Sequence, residues 1–228
     1  MAHYVHPGAC PAMPWEAALA YTRPVHLDEE ACLARLAHEW ELPLAAEMAA
    51  RLLSFARRLM EWNARINLTG AASVAEVVGE HLVDSFAMAR MVPAGSSVIE
   101  VGAGGGLPGL PFRILRPDVR LTLVEPRAKK VAFLRTATRE FGLVGTEVLR
   151  TRSDALDPGR FDVSASRATF TPEEWLTLGL RLVRPGGLVL VFAGNAWTPG
   201  ISSVSTASAV SYKTAAGRSR WLGAFCST

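Results

Sequence analysis

Residues 98–112 read VIEVGAGGGLPGLPF: an apolar run holding one acidic residue, then glycines at 102, 104, 105, 106 and 109. Glycines where a strand turns into a helix let backbone N–H groups approach a polar ligand with no Cβ in the way. Ligands of open α/β sheets bind beyond the carboxyl ends of the strands, so this loop is where a cofactor belongs. Three carboxylates keep the same rhythm. Glu100 ends the first run, Glu125 follows LTLV at 121–124, and Asp154 lies in RTRSDAL after 147–149. A carboxylate after a second strand can accept both hydroxyl hydrogens of a ribose, and one after a third can meet an adenine amino group.

Two cofactors compete for this pattern. Gly104, Gly106 and Gly109 satisfy GxGxxG with Glu125 about 20 residues on, the dinucleotide fingerprint of an oxidoreductase. Glu100, Gly102, Gly104 and Gly106 satisfy acidic-x-Gly-x-Gly-x-Gly, in which the acidic side chain stands beside the cationic amino group of S-adenosylmethionine. An anionic Glu100 would repel a pyrophosphate, so electrostatics favours the cationic donor. For each carboxylate alone a helix cap or a solvated surface charge serves as well; the three together favour the cofactor. Leu107, just past the glycine run, completes the expected binding set.

The elements that must position these residues follow from patterning. With 228 residues, half of them hydrophobic and a fifth charged, the chain can fill one large core and excludes disorder throughout. No apolar run reaches a membrane span, and the start lacks a signal-peptide pattern, so a cytosolic protein is expected. Cys10, Cys32 and Cys226 are scattered without CxxC or a histidine partner, which indicates neither disulfides nor a metal. Residues 1–26, with four prolines and no period, read as a poorly ordered leader. Residues 27–92 read as a helical cap. Asp28 caps a helix to about Trp40, Pro43 opens the first turn of a second helix reaching about Asn63, and Ser73 with Glu76 forms a capping box for a third, to about Arg90. From 93 to 228, strands at 98–101, 121–124, 147–149, 163–165 and 188–192 alternate with helices near 108–115, 128–141 and 172–183. Gly186-Gly187 launches the last of these strands, and 204–212 with 221–225 closes the chain as a hairpin. This order implies an α/β fold, a Rossmann-like, mostly parallel doubly wound sheet ending in an antiparallel hairpin. No acidic residue follows Glu174, whereas Arg181, Arg184, Lys213, Arg218 and Arg220 do, so a polyanionic partner is one reading and a basic solvated surface the other.

Beyond the glycine loop, the sequence resembles the bacterial 16S ribosomal RNA guanine-N7 methyltransferases, the glucose-inhibited division protein B family. The resemblance rests on EWNARINLT (61–69), EHLVDS (80–85), EVGAGGGLPGLP (100–111), EPRAKKVAFLR (125–135) and SRA (166–168), in that order. It implies a class I methyltransferase domain at 93–228, with Gly102, Gly104, Gly106, Glu125 and Asp154 binding S-adenosylmethionine and Glu100 supporting the loop. It further implies that Lys129, Arg152, Arg167 and Arg220 face RNA or the target base, with His81, Asp84 and Ser85 on the cap helix near the loop. For His81, a structural role tying cap to sheet is an equal alternative. Lys130, beside Lys129 on the same helix with Arg135 and Arg139, joins the expected backbone-binding surface.

Guanine N7 carries a lone pair and no proton, so methyl transfer to it needs no general base and positioning dominates. Arg167 is the catalytic candidate, hydrogen-bonding guanine O6 or an adjacent phosphate. The expected partner is 16S ribosomal RNA or the small ribosomal subunit, with neither membrane nor metal, and the expected state a monomer. Ala193 stands where the resembled family has lysine, and the segment after Asn195 is too short for the helix expected there. A small-molecule methyltransferase using the cap as a lid, and a catalytically silent RNA-binding relative, are the alternatives within the fold.

Overall fold

The computed structural model describes residues 28–227; the expected leader at 1–26, and Cys10 with it, lies outside the described residues. Seven strands form one sheet: β1 (Ser97–Val101), β2 (Arg120–Val124), β3 (Thr146–Leu149), β4 (Phe161–Ser166), β5 (Val183–Ala193), β6 (Val204–Lys213) and β7 (Ser219–Ser227), in the order β3-β2-β1-β4-β5-β7-β6. Strands β1 to β5 pair in parallel, and β7 enters antiparallel between β5 and β6. This is the Rossmann-like, mostly parallel sheet with a closing hairpin that the patterning implies. The hairpin fills the remaining edge because a β6 to β7 turn needs few residues, whereas a parallel crossover needs a dozen or more.

Strand side chains alternate between two cores. Val98, Leu121, Leu123, Val163 and Ala165 face one layer, with Phe55, Leu59, Phe86, Phe112 and Phe133 from the helices. Ile99, Val101, Val189 and Val191 face the other, against Trp175 and Leu176. The first layer holds α1 (Glu29–Glu39), α2 (Ala46–Asn63), α4 (Leu82–Met91), α5 (Gly109–Leu115) and α6 (Ala128–Glu140). The second holds α7 (Pro172–Leu182), where the segment before β6 lays Trp197 and Ile201 on the core without forming a helix. Thr171 and Glu174 form a reciprocal capping box at the start of α7, with Pro172 in its first turn.

Several local expectations are corrected. Pro43 lies ahead of α2 rather than in its first turn. Ser73 caps α3 (Val74–Glu76), but the Glu76 carboxylate accepts from Ala72 N rather than from Ser73 N, so the box is half made. The expected single helix from 73 to 90 is broken by a π-helical turn, Val77–His81, between α3 and α4. Gly186-Gly187 falls inside β5: pairing with β4 passes from Phe161–Val183 to Val163–Leu188, and Arg184, Pro185 and Gly186 bulge out, exposed.

Candidate active site at the carboxyl edge of the sheet

The glycine loop hangs from β2 by two hydrogen bonds, Gly102 N and Ala103 N both donating to Val124 O at 2.9 and 3.1 Å. Gly102, Gly104 and Gly106 have φ of +77°, +55° and +75°, the left-handed region that favours glycine. Their environments differ. Gly102 and Gly104 are half-exposed, whereas a Cβ at Gly106 would meet Leu110 at 2.5 Å and Leu134 at 3.2 Å. Gly106 therefore lets α5 and α6 close on the loop and is not open to a ligand. Gly105 does the same toward the cap, its Cβ position lying 2.9 Å from Leu68 O. Leu107 is half-buried against the first core.

Glu125, at the tip of β2, is 5 % exposed; its Oε2 accepts from Gly104 N at 3.1 Å and its Oε1 from Arg127 N at 2.9 Å. Each oxygen keeps a lone pair for a ligand hydroxyl. Asp154 sits on a 3-10 turn (Ser153–Ala155) and, with Pro126, Arg150, Thr151 and Arg152, lines an open crevice of about 400 Å³ beyond β2 and β3. Its carboxylate lies 3.5 Å from Arg152, both side chains well exposed, so the pair is loosely held.

Glu100 departs from its expected place beside the donor's amino group. In β1 it shares the face of Val98, which turns it inward beneath α5: it is 1 % exposed, and a Cβ on Gly109 would come 1.9 Å from its Oε2. Neither oxygen completes a hydrogen bond. Burial pushes its pKa up to about 8, against the opposing influence of the Arg167 cation and the Gly109 backbone. Glu100 is therefore largely neutral at pH 7 and enclosed, and its charge does not select a cationic donor. It lies beneath Gly109 at the start of α5.

The densest polar cluster joins cap, sheet and hairpin. Arg167, just past β4, places its Nε 2.9 Å from Asp84 Oδ2 and its Nη2 2.6 Å from His81 Nδ1. Asp84 Oδ1 accepts from the Tyr212 hydroxyl at 2.7 Å, and His81 Nε2 lies 3.4 Å from Thr69 Oγ1. Nearby, Ser85 Oγ donates to Pro108 O at 2.9 Å. Arg167 Nη1, also buried, has no partner. Burial raises the pKa of Asp84, while Arg167 and the Tyr212 hydroxyl oppose it; burial, then Arg167, lowers that of His81 to about 4. The π-helical turn is held by the hairpin: Ala215 N donates to Gly79 O at 2.9 Å and Ala216 N to Glu80 Oε1 at 2.8 Å.

The predicted basic residues spread along this edge. Lys129 is exposed at the start of α6, and Lys130 reaches the glycine loop, its Nζ 3.9 Å from the Cβ position of Gly104. Arg152 stands beyond β3, and Arg220 pairs across the hairpin with Tyr212. Sequence reasoning missed Tyr212, Glu80 and Thr169. Thr169 Oγ1 stands 2.2 Å from the Cβ position of Gly102, closing the loop after β4 over the glycine loop.

The strand order β3-β2-β1-β4-β5-β7-β6, with β7 antiparallel and a glycine loop after β1, is the architecture of a class I, S-adenosylmethionine-dependent methyltransferase. The architecture agrees with solved structures: TomG, an O-methyltransferase from Streptomyces achromogenes in complex with S-adenosylmethionine, matches at TM-score 0.57 with 19 % identity, covering 89 % of this chain and all of that one. A putative O-methyltransferase from Klebsiella pneumoniae matches at 0.56 with 18 % identity, over 76 % of this chain and 90 % of that one. Residues 48–215 match the family model of rRNA small subunit methyltransferase G, GidB, and the chain belongs to that family. Among curated relatives, ribosomal RNA small subunit methyltransferase G of Stenotrophomonas maltophilia is 41 % identical over 66 % of this chain and 71 % of that protein. The protein of that name from Anaeromyxobacter is 38 % identical over 68 % and 73 %.

Proposed function

We propose that the chain transfers the methyl group of S-adenosylmethionine to N7 of a guanine in 16S ribosomal RNA, by positioning and without a general base. The observation that carries this reading is the Arg167 guanidinium, held by His81 and Asp84 at the carboxyl edge of the sheet with part of its side chain still exposed. A fixed cation at that edge suits guanine O6 or a neighbouring phosphate.

The donor group supplies an electrophilic methyl on a sulfonium. Gly102, Gly104 and Glu125 would hold it, with Asp154 and Pro126 at the adenine end; the enclosed Gly106 and Glu100 shape the loop from below, and Leu107 sits at its rim. His81 is unsuited to serve as a base, because its Nδ1 is committed to Arg167. That fits an acceptor nitrogen with no proton to remove. Lys129, Lys130, Arg152 and Arg220 would grip the RNA backbone along the same edge. Ala193, at the end of β5, supplies no cation there. The enzyme would act as a monomer in the cytosol, where ribosomal RNA is found.

The test is methyl transfer from labelled S-adenosylmethionine to 16S RNA and to small subunits lacking the modification. Label at N7 of a single guanine is expected. Label absent from RNA, with cofactor binding intact, would overturn the reading.

A further inference from the structure

Tyr212 lies 128 residues from Asp84 in the chain, on β6 at the far edge of the sheet, yet its hydroxyl donates to Asp84 Oδ1 at 2.7 Å. The other Asp84 oxygen stands 2.9 Å from Arg167 Nε. Asp84 is fully buried, so its only route to solvent-like stabilisation is through these neighbours. The Tyr212 ring is itself fixed, edge-on to Trp40 of the cap with centroids 5.3 Å apart. We propose that Tyr212 is a positioning residue of the methyl transfer: it fixes the Asp84 carboxylate, which in turn aims the Arg167 guanidinium at the acceptor base.

A carboxylate has two oxygens and can rotate about its last bond. Held only by Arg167, Asp84 would be free to turn with it; held by Tyr212 on one oxygen, it becomes an anchor for the other. Arg167 is then held at Nε by its ion pair with Asp84, whose Oδ2 completes no hydrogen bond, and at Nη2 by His81. The hairpin that carries Tyr212 is locked to the cap by Ala215 N on Gly79 O and Ala216 N on Glu80. The C-terminal hairpin thus helps build the site from the far edge of the sheet. The charged and titratable groups around Asp84 are Arg167 after β4, Tyr212 on β6, Arg220 on β7, and Glu80 on the π-helical turn. Of these, the Tyr212 hydroxyl bonds the ionised carboxylate directly, so its removal raises the pH at which Asp84 loses its charge.

The inference rests on the reading of Arg167 as the acceptor-orienting cation, and the two are tested separately. Tyr212→Phe keeps the ring and removes the hydroxyl. At a temperature where circular dichroism shows each variant folded, it should lower kcat about tenfold, since misaimed catalytic groups are costly, with the cofactor Kd within about twofold. The acid limb of its kcat profile should move to higher pH. In an Arg167→Lys background, where the two-nitrogen grip is already gone, Tyr212→Phe should cause no further loss. Site-specific 3-fluorotyrosine at 212, a stronger donor of the same shape, should move the acid limb to lower pH and serves if Tyr212→Phe does not fold. A parental kcat and acid limb in Tyr212→Phe, an unmoved limb with fluorotyrosine, or a loss that multiplies with Arg167→Lys would overturn the inference. Full turnover by Arg167→Lys and Arg167→Ala would instead overturn the reading of Arg167.

Discussion

Arg167 Nη2 stands 2.6 Å from His81 Nδ1. A guanidinium has donors and no acceptor, so Nδ1 must carry the lone pair and the imidazole proton sits on Nε2, toward Thr69 Oγ1. The histidine of the EHLVDS motif is therefore a neutral acceptor that orients a cation, and cap and sheet meet through it.

Protonation of His81 should cost stability. Its folded pKa of about 4 lies below the ordinary 6.5, chiefly through burial and then through Arg167, Arg220 and Arg218. The unfolded chain takes up a proton that the folded one refuses, so this contribution is complete above pH 6.5 and is lost as pH falls toward 4. The melting-temperature gap between parent and His81→Gln should therefore shrink between pH 7.5 and pH 4.5. Parallel melting curves across that range would show that His81 stays uncoupled from folding.

Glu100 carries the opposite sign. Its folded pKa of about 8 exceeds the ordinary 4.5, so ionisation opposes folding and stability falls as pH rises from 4.5 through 8. Glu100→Gln should be more stable than the parent at pH 8.5 by a few kcal/mol, an order of magnitude taken from the shift, with the gap closing near pH 4.5. Because the carboxyl is enclosed beneath Gly109, cofactor affinity should change less than about threefold, under 1 kcal/mol. Urea unfolding at the two pH values and calorimetric titration with S-adenosylhomocysteine read both outcomes. Strongly weakened cofactor binding would restore Glu100 to the ligand side.

Glu125→Ala should weaken cofactor binding by about 1 to 3 kcal/mol, because ribose hydroxyls lose their acceptor. The Gly104 and Arg127 N–H groups lose theirs too, so part of the effect is a loosened loop. Glu125→Gln keeps one acceptor oxygen and should fall between parent and Glu125→Ala. Equal affinities in all three would remove Glu125 from the site.

Much of this was legible along the chain. Short β-branched runs alternating with amphipathic segments located the parallel strands, because strands covered on both faces are largely apolar. The side-chain partners were less legible. Period-two alternation puts Glu100 on the face of Val98, but that this face is sealed depends on α5 lying across it, which no local pattern encodes. Tyr212 meets Asp84 only because β6 and β7 fold back against the cap. The π-helical turn arises where hydrogen bonds slip by one residue, next to Gly79 and the docked hairpin, and the 73–90 pattern holds no signal for it. Asp154 after β3 and Lys129 in the first turn of α6 lie exposed, and the position of solvated residues depends little on distant packing.

Gly102 offers the sharpest separation of two costs. Its φ of +77° strains any other L-residue, and a Cβ there would overlap Thr169 Oγ1 at 2.2 Å and Thr169 Cβ at 2.9 Å. Thr169 is tied to Arg167, its Oγ1 donating to Arg167 O at 3.3 Å, so pressure on Thr169 is passed to the backbone that carries the Arg167 guanidinium. Gly102→Ala should therefore depress both cofactor affinity and turnover. Adding Thr169→Gly removes the overlap but leaves the backbone strain, of about 1 to 2 kcal/mol. The double variant should recover turnover at saturating cofactor while remaining destabilised by roughly that amount in urea unfolding. Recovery of stability without turnover would mean that Thr169 itself, and not the space it occupies, matters to Arg167.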